Sequence, residues 1–355
     1  MEDHSRGERP EAGLGGSGVV VERVTADGGT GSGAGRKRSA GPGDRGRADG
    51  DEALPTGRQF ELRRDGVRAA VTEVGATLRA LEVDGLGILQ GFPADGMPDA
   101  SRGQVLIPFP NRVDRGRYAF HGRSLELPLD EPERTNAMHG LVRWLNWAPL
   151  SSTPSRLVMG LVLHAREGYP FVLSLRIAYT LTASGLRVRQ SVRNLGAAPA
   201  PYGAGFHPYL TVGTPSIDEC LLKLPARTSF LVNARLIPTG RASVKGTPLD
   251  FLQARPIGGT VMDAGFTDLE RDAEGLASVE LSAPGGRPRV SVLLDPAYQF
   301  LQVFTGDSLP DGLRRRAVAI EPYTCAANAF NNGLGLRVLA PGHCFSSVWE
   351  IAAAL

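Results

Sequence analysis

The chain has 355 residues, 42% of them hydrophobic and 21% charged, and Lys+Arg 39 against Asp+Glu 37 leaves a formal net charge of +2. That apolar content is ample for a large core, while the balance of charge lacks the concentrated basic surface of a dedicated nucleic-acid binder. The cysteines Cys220, Cys325 and Cys344 are odd in number and far apart, without a C-x-x-C pair, which argues against a disulfide framework and a cysteine-held zinc and suits a reducing compartment.

Residues 1–54 are rich in Gly, Ser, Arg and Asp and nearly free of aromatics. Such a stretch buries too little apolar surface to offset its ordering entropy, so a disordered tail is expected there, and a folded domain over 55–355. The run Arg36-Lys37-Arg38 reads as a solvated cluster between acids. The start, Met1 to Arg6, is polar and leads into no apolar h-region. Nothing approaches the ~18 consecutive apolar residues of a membrane span, and the expected location is cytoplasmic.

From Gln59 the texture becomes short, β-branched and alternating. Val67 to Leu81 carries strand-like residues broken at Gly75. Leu157–Leu163 and Phe171–Thr180 follow, and Leu186 to Arg193 alternates apolar and polar with period two, the mark of a half-buried strand. Gly185 marks a hairpin before that strand. Further strands are expected at Val279–Leu281, Val290–Leu294, Phe300–Phe304, Ala317–Ile320 and Val348–Ile351. No segment sustains helical periodicity. Short strands punctuated by turns indicate an all-β fold, a large antiparallel sandwich.

The six histidines show no H-E-x-x-H or comparable ligand spacing, and there is no G-x-S-x-G elbow, P-loop or dinucleotide fingerprint. Metal, nucleotide and serine chemistry are therefore not expected. What stands out is polar residues at strand ends: Asn111-Arg112 after Phe109-Pro110, His139 in Asn136-Ala137-Met138-His139-Gly140, and His207 before Pro208, which biases it to an extended backbone. Glu321 closes the apolar run Ala317 to Ile320. A strand so apolar is buried on both faces, and a carboxylate there has its pKa raised towards the range of a general base.

The runs FPNRV, NAMHGL, FHPYL and AIEPYTCAANAFNNG, in that order and spacing, resemble the aldose 1-epimerases, the galactose mutarotase family. The resemblance runs from about 55 to 352 and implies a β-supersandwich with a sugar cleft. It implies that His207 is the general acid and Glu321 the general base. It implies further that Asn111, Arg112, His139, Gln302 and an aspartate hold the sugar. Asp263 fits through its Asp-x-x-Phe spacing, with Asp268 as the alternative. Here Leu210-Thr211 follow Tyr209 where the family continues with Phe-Asn, in a loop expected to border the cleft. Trp144 and Tyr209 are candidates for an aromatic sugar platform, Trp144 being equally a candidate for the core.

The implied partner is a small sugar, an aldohexose. Its anomers would interconvert by ring opening and closure with no cofactor, no metal, no nucleic acid and no membrane. Two alternatives stay open. One is an epimerase for hexose 6-phosphates, for which Arg115, Arg117 and Arg143 supply nearby charge. The other is a non-catalytic carbohydrate-binding module, since fold does not fix function.

Overall fold

A computed structural model of the chain describes residues 53–355; the expected tail lies outside the described residues apart from Ala53 and Leu54. Strands dominate. Among the described residues, the α-helix Ala329–Asn332 and two short 3-10 turns are the helical elements, and no helix is long and apolar enough to cross a membrane.

A nine-stranded antiparallel sheet runs in the order Ala148–Thr153, Arg156–Leu163, Leu173–Leu181, Gly185–Asn194, Cys344–Ala354, Arg289–Leu294, Ala277–Ser282, Leu221–Lys223, Arg255–Pro256. An eight-stranded sheet runs Pro238–Ser243, Ala226–Val232, Asp263–Leu269, Phe300–Phe304, Val318–Tyr323, Gly205–Phe206, Val105–Leu106, with Tyr209–Leu210 also pairing onto Val318–Tyr323. A four-stranded meander over Gln59–Gly87 accompanies them. The fold is the all-β antiparallel sandwich that the alternation predicts.

Period-two patterning explains how the large sheets meet. Leu186, Val188 and Val192 are buried while Arg187, Arg189 and Arg193 of the same strand are exposed. From the eight-stranded sheet, Phe266, Leu301, Val303, Val318 and Ile320 enter the same core as Val188, Val292 and Ile351 of the nine-stranded one. Phe206 and Trp349, one from each sheet, sit with ring centroids 5.1 Å apart. Because side chains alternate along a strand, the residues between those core positions lie on the opposite face. These are Asp263 and Gly265, then Phe300, Gln302 and Phe304, then Ala319, Glu321 and Tyr323.

Two local expectations change. The strand bearing Glu321 does not end there but runs on through Pro322 to Tyr323, buried along its whole length. The proline leaves one rung of the ladder unmade: Ile320 donates to the Pro208 carbonyl and Thr324 to that of Ala204, while Pro322 between them, opposite Phe206, has no N–H to give. The hairpin marked by Gly185 does form, with Leu181 paired to Leu186 and the Thr182 amide donating to the Gly185 carbonyl at 2.9 Å; a Cβ on Gly185 would lie 2.1 Å from the carbonyl oxygen of Ile351. Leu210 is fully buried in the core, so the Leu210-Thr211 departure does not line the cleft.

Candidate active site

Strand register places the two chemical groups. Gly205 pairs with Tyr323 and Tyr209 with Ala319, so His207 falls opposite Glu321. On the other side Glu321 pairs with Gln302, Gln302 with Gly265, and Phe304 with Asp263. Four neighbouring segments of the sheet thus present His207, Glu321, Gln302 and Asp263 on one face. His207 Nε2 lies 3.4 Å from Glu321 Oε2, with the two side chains 7% and 2% exposed.

A second group comes from the segments around 111 and 139. The strands Arg112–Asp114 and Asn136–Met138 pair, and just beyond them Asn111 and His139 lock together. The Asn111 amide donates to His139 Nδ1 at 3.2 Å, and the His139 amide donates to the Asn111 carbonyl at 2.8 Å. Both residues are left-handed, with φ of 57° and 61°, a conformation that costs non-glycine residues about 1–3 kcal/mol. Since Nδ1 accepts, the ring proton of neutral His139 sits on Nε2. The His139 ring meets that of His207 edge-on at 5.3 Å.

Arg112 is buried and held by a fork. Its Nε and Nη2 donate to the two oxygens of Glu131, each at 2.8 Å. Glu131 also accepts from Asn136 Nδ2 at 2.8 Å and from Arg134 Nη1 at 3.0 Å. Burial opposes the charge on Arg112, but the bonds to Glu131 outweigh it and its pKa is raised. Burial likewise opposes the charge on Glu131, and its bonds to Arg112 and Asn136 hold its pKa below the usual value. Gln302 Nε2 donates to Asp263 Oδ1 at 2.5 Å, and that aspartate is exposed at the rim.

Asn111, Arg112, His139, His207, Asp263, Gln302 and Glu321 all line one cleft of about 340 Å³. At its floor, His207 stacks on Tyr209 at 5.1 Å with 12° between the rings, and the buried Arg102 guanidinium lies 4.4 Å from the centre of the same tyrosine ring. Tyr323 donates its hydroxyl to Glu321 Oε2. Burial pushes the Glu321 carboxyl well above the usual carboxylate range, with the Tyr323 bond pulling the other way. Burial pushes His207 down to about 3, helped by the charges of Arg102 and Arg143. His139 is lowered well below its ordinary value, by burial first and then by His207. A buried acid raised beside a buried base lowered, 3.4 Å apart, is a pair that holds one proton between two sites.

Residues 58–352 match the model of the aldose 1-epimerase family. The chain belongs to the aldose 1-epimerase family. This aldose 1-epimerase family member is 34% identical over 288 residues to the uncharacterized protein YihR of Escherichia coli (strain K12), covering 81% of this chain and 90% of that one. It is 25% identical over 298 residues to the galactose mutarotase of Homo sapiens, covering 76% of this chain and 84% of that protein. Its fold matches the solved GalM/aldose epimerase homologue from C. elegans with a TM-score of 0.74 at 18% identity, over 84% of this chain and 98% of that one.

Within this aldose 1-epimerase fold several expected neighbours of the cleft lie elsewhere. Asp268 lies by Arg227, Glu270 and Arg271, away from His207. Trp144 is neither in the cleft nor in the core; it is 47% exposed above a separate concavity. Tyr209, by contrast, does line the cleft beside His207, its hydroxyl donating to the Ala100 carbonyl at 3.1 Å. Arg115 is exposed, Arg117 pairs with Glu126 at the surface, and Arg143 is tied to Asp130 at 2.5 Å. Sequence reasoning missed Glu131, Tyr323 and Arg102. Tyr323 was reachable, because it lies two residues beyond Glu321 on the same strand face. Nothing in the sequence pairs Glu131 with Arg112, or Arg102 with Tyr209.

Proposed function

We propose that this family member is an aldose 1-epimerase that interconverts the α- and β-anomers of a free aldose. The observation that carries the reading is the buried His207–Glu321 pair, at 3.4 Å, on the floor of a cleft of about 340 Å³ walled by amide, guanidinium and imidazole groups. Opening the ring requires a proton to leave the C1 hydroxyl and another to reach the ring oxygen. Burial favours the shared proton on Glu321, so opening begins with its transfer to His207 across the 3.4 Å between them; Glu321 as carboxylate then takes the first proton and His207 as imidazolium gives the second. The C1–O5 bond breaks, the C1 carbonyl forms, and rotation about C1–C2 exposes the other face. Closure then runs with the roles exchanged: neutral His207 removes the O5 proton and Glu321 returns one to O1. Each half-reaction moves one proton into the pair and one out, so a pair with a single proton serves both directions. A positioned acid and a positioned base each contribute on the order of 10²–10⁴-fold. Arg112, His139, Asn111, Gln302 and Asp263 hold the sugar hydroxyls, and the left-handed strain at Asn111 and His139 fixes those donors and acceptors before the sugar arrives. No cofactor takes part, since no electron or group leaves the sugar.

A free aldose is favoured over a sugar phosphate by the charges at the cleft. Of the described residues lining it, the guanidiniums are Arg112 and Arg134, and both are already bound to Glu131. A phosphate would need an uncommitted cation. A pure binding module would need no acid and base in register. The test is polarimetry on freshly dissolved α-D-galactose, α-D-glucose and α-D-glucose 6-phosphate. Enzyme-dependent acceleration with the unphosphorylated sugars and not with the phosphate is expected. Acceleration of the phosphate alone, or of none of these, refutes the reading.

A further inference from the structure

A second concavity, of about 210 Å³, lies outside the cleft and is bordered by Trp144, Asp130, Arg143, Arg166, Phe109 and Leu141. Trp144 is 47% exposed there, while Trp147 and Trp349 are each 1% exposed. An indole face beside apolar side chains, with a few convergent polar groups at the rim, is the composition of a small-molecule site. The polar groups retain capacity. Asp130 accepts one bond on each oxygen, from the Met138 amide at 2.6 Å and from Arg143 Nη2 at 2.5 Å, which leaves a lone pair on each. Arg166 is exposed, with one long bond from Nη1 to the Leu141 carbonyl at 3.5 Å.

The geometry points to a second carbohydrate subsite in this concavity, which takes one neutral sugar ring stacked on Trp144 with its hydroxyls on Asp130 and Arg166. Hydroxyls suit this rim because they both donate and accept, whereas an anion at Arg166 would meet the Asp130 carboxylate. The site adjoins the cleft through Arg143, whose Nη1 donates to Ser101 Oγ at 3.3 Å and whose Nη2 donates to the Met138 carbonyl at 3.2 Å. Ser101 and Met138 line the cleft itself. Asp130 immediately precedes Glu131, which grips Arg112.

The sequence holds three tryptophans, and the two buried ones are shielded from solutes, so acrylamide quenching of the full chain reports on Trp144. Adding D-glucose or lactose should be saturable and should cut the quenching constant by roughly half as the exposed indole face is covered. The protection should persist in Arg112→Ala, which weakens the cleft, and should need several-fold more sugar in Arg166→Ala, an exposed change with little reason to disturb folding. Three results overturn the proposal: no protection by either sugar, protection that vanishes in Arg112→Ala, or a fall in quenching with protein concentration alone, which would mark a contact between copies. Fluorescence needs no turnover, so its outcome is separate from that of polarimetry on the cleft.

Discussion

Replacing Glu321 by Gln should move activity and stability in opposite directions. Glutamine keeps the shape of the side chain, and its carbonyl still accepts from the Tyr323 hydroxyl. It cannot exchange a proton with a sugar hydroxyl. Losing one of two proton-transfer groups should lower kcat by roughly 10²–10⁴-fold with KM little changed. Stability follows from burial. Glu321 is 2% exposed and its pKa is raised well above the ordinary 4.5, by desolvation first. A group raised in the folded state binds more protons folded than unfolded above that ordinary value. Its contribution is complete below the unfolded pKa and is lost as pH rises towards the folded one, at up to about 1.4 kcal/mol per pH unit. Glutamine carries no such loss. The variant should therefore gain on the wild type in urea midpoint as pH is raised from about 5 to 8, in a series at constant ionic strength. A folded Glu321→Gln protein within about tenfold of wild-type kcat would refute the chemical argument. A stability difference that stays flat with pH would refute the burial argument.

Other perturbations separate the remaining roles. The kcat/KM profile should be a broad bell. Burial lowers His207 to about 3 and raises Glu321, so the acidic limb, where the pair gains a second proton, should fall well below pH 6, while the basic limb marks loss of the shared one. A sharp optimum with an acidic limb at pH 6 or above would contradict it. Glu131→Ala strips the partner from a buried arginine, and should cost about 3–5 kcal/mol in denaturant unfolding and raise KM for the sugar more than it lowers kcat. An unchanged KM would show that Arg112 does not grip substrate. A chain beginning at residue 53 should fold and turn over like the full one, by melting curve and polarimetry, since the composition of 1–52 gives it little apolar surface to contribute. Loss of most of the turnover would make that segment part of the working unit.

The class of fold was legible in the residue pattern, and so were candidates for the chemical groups. Period-two alternation at Leu186 to Arg193 follows from the pleat, which sends successive side chains to opposite faces whatever the surroundings. The apolar run into Glu321 announced a strand buried on both faces, and with it a carboxyl of raised pKa. Tertiary structure decided the rest, because those features depend on which strands lie side by side. His207 faces Glu321 only through the register of two short strands across a third, more than a hundred residues apart in sequence. Glu131 reaches Arg112 through a fork 19 residues away in the chain, and Arg102 reaches His207 through the ring of Tyr209. Trp144 shows the same limit from the other side. A tryptophan near the histidine loop reads equally as platform or core, and only the packing of Trp147 beneath the sheet and of Trp144 above a separate hollow distinguishes them. Local propensity acts over a few residues, whereas burial, pairing and electrostatic partnership are set by neighbours that the chain supplies from anywhere along its length.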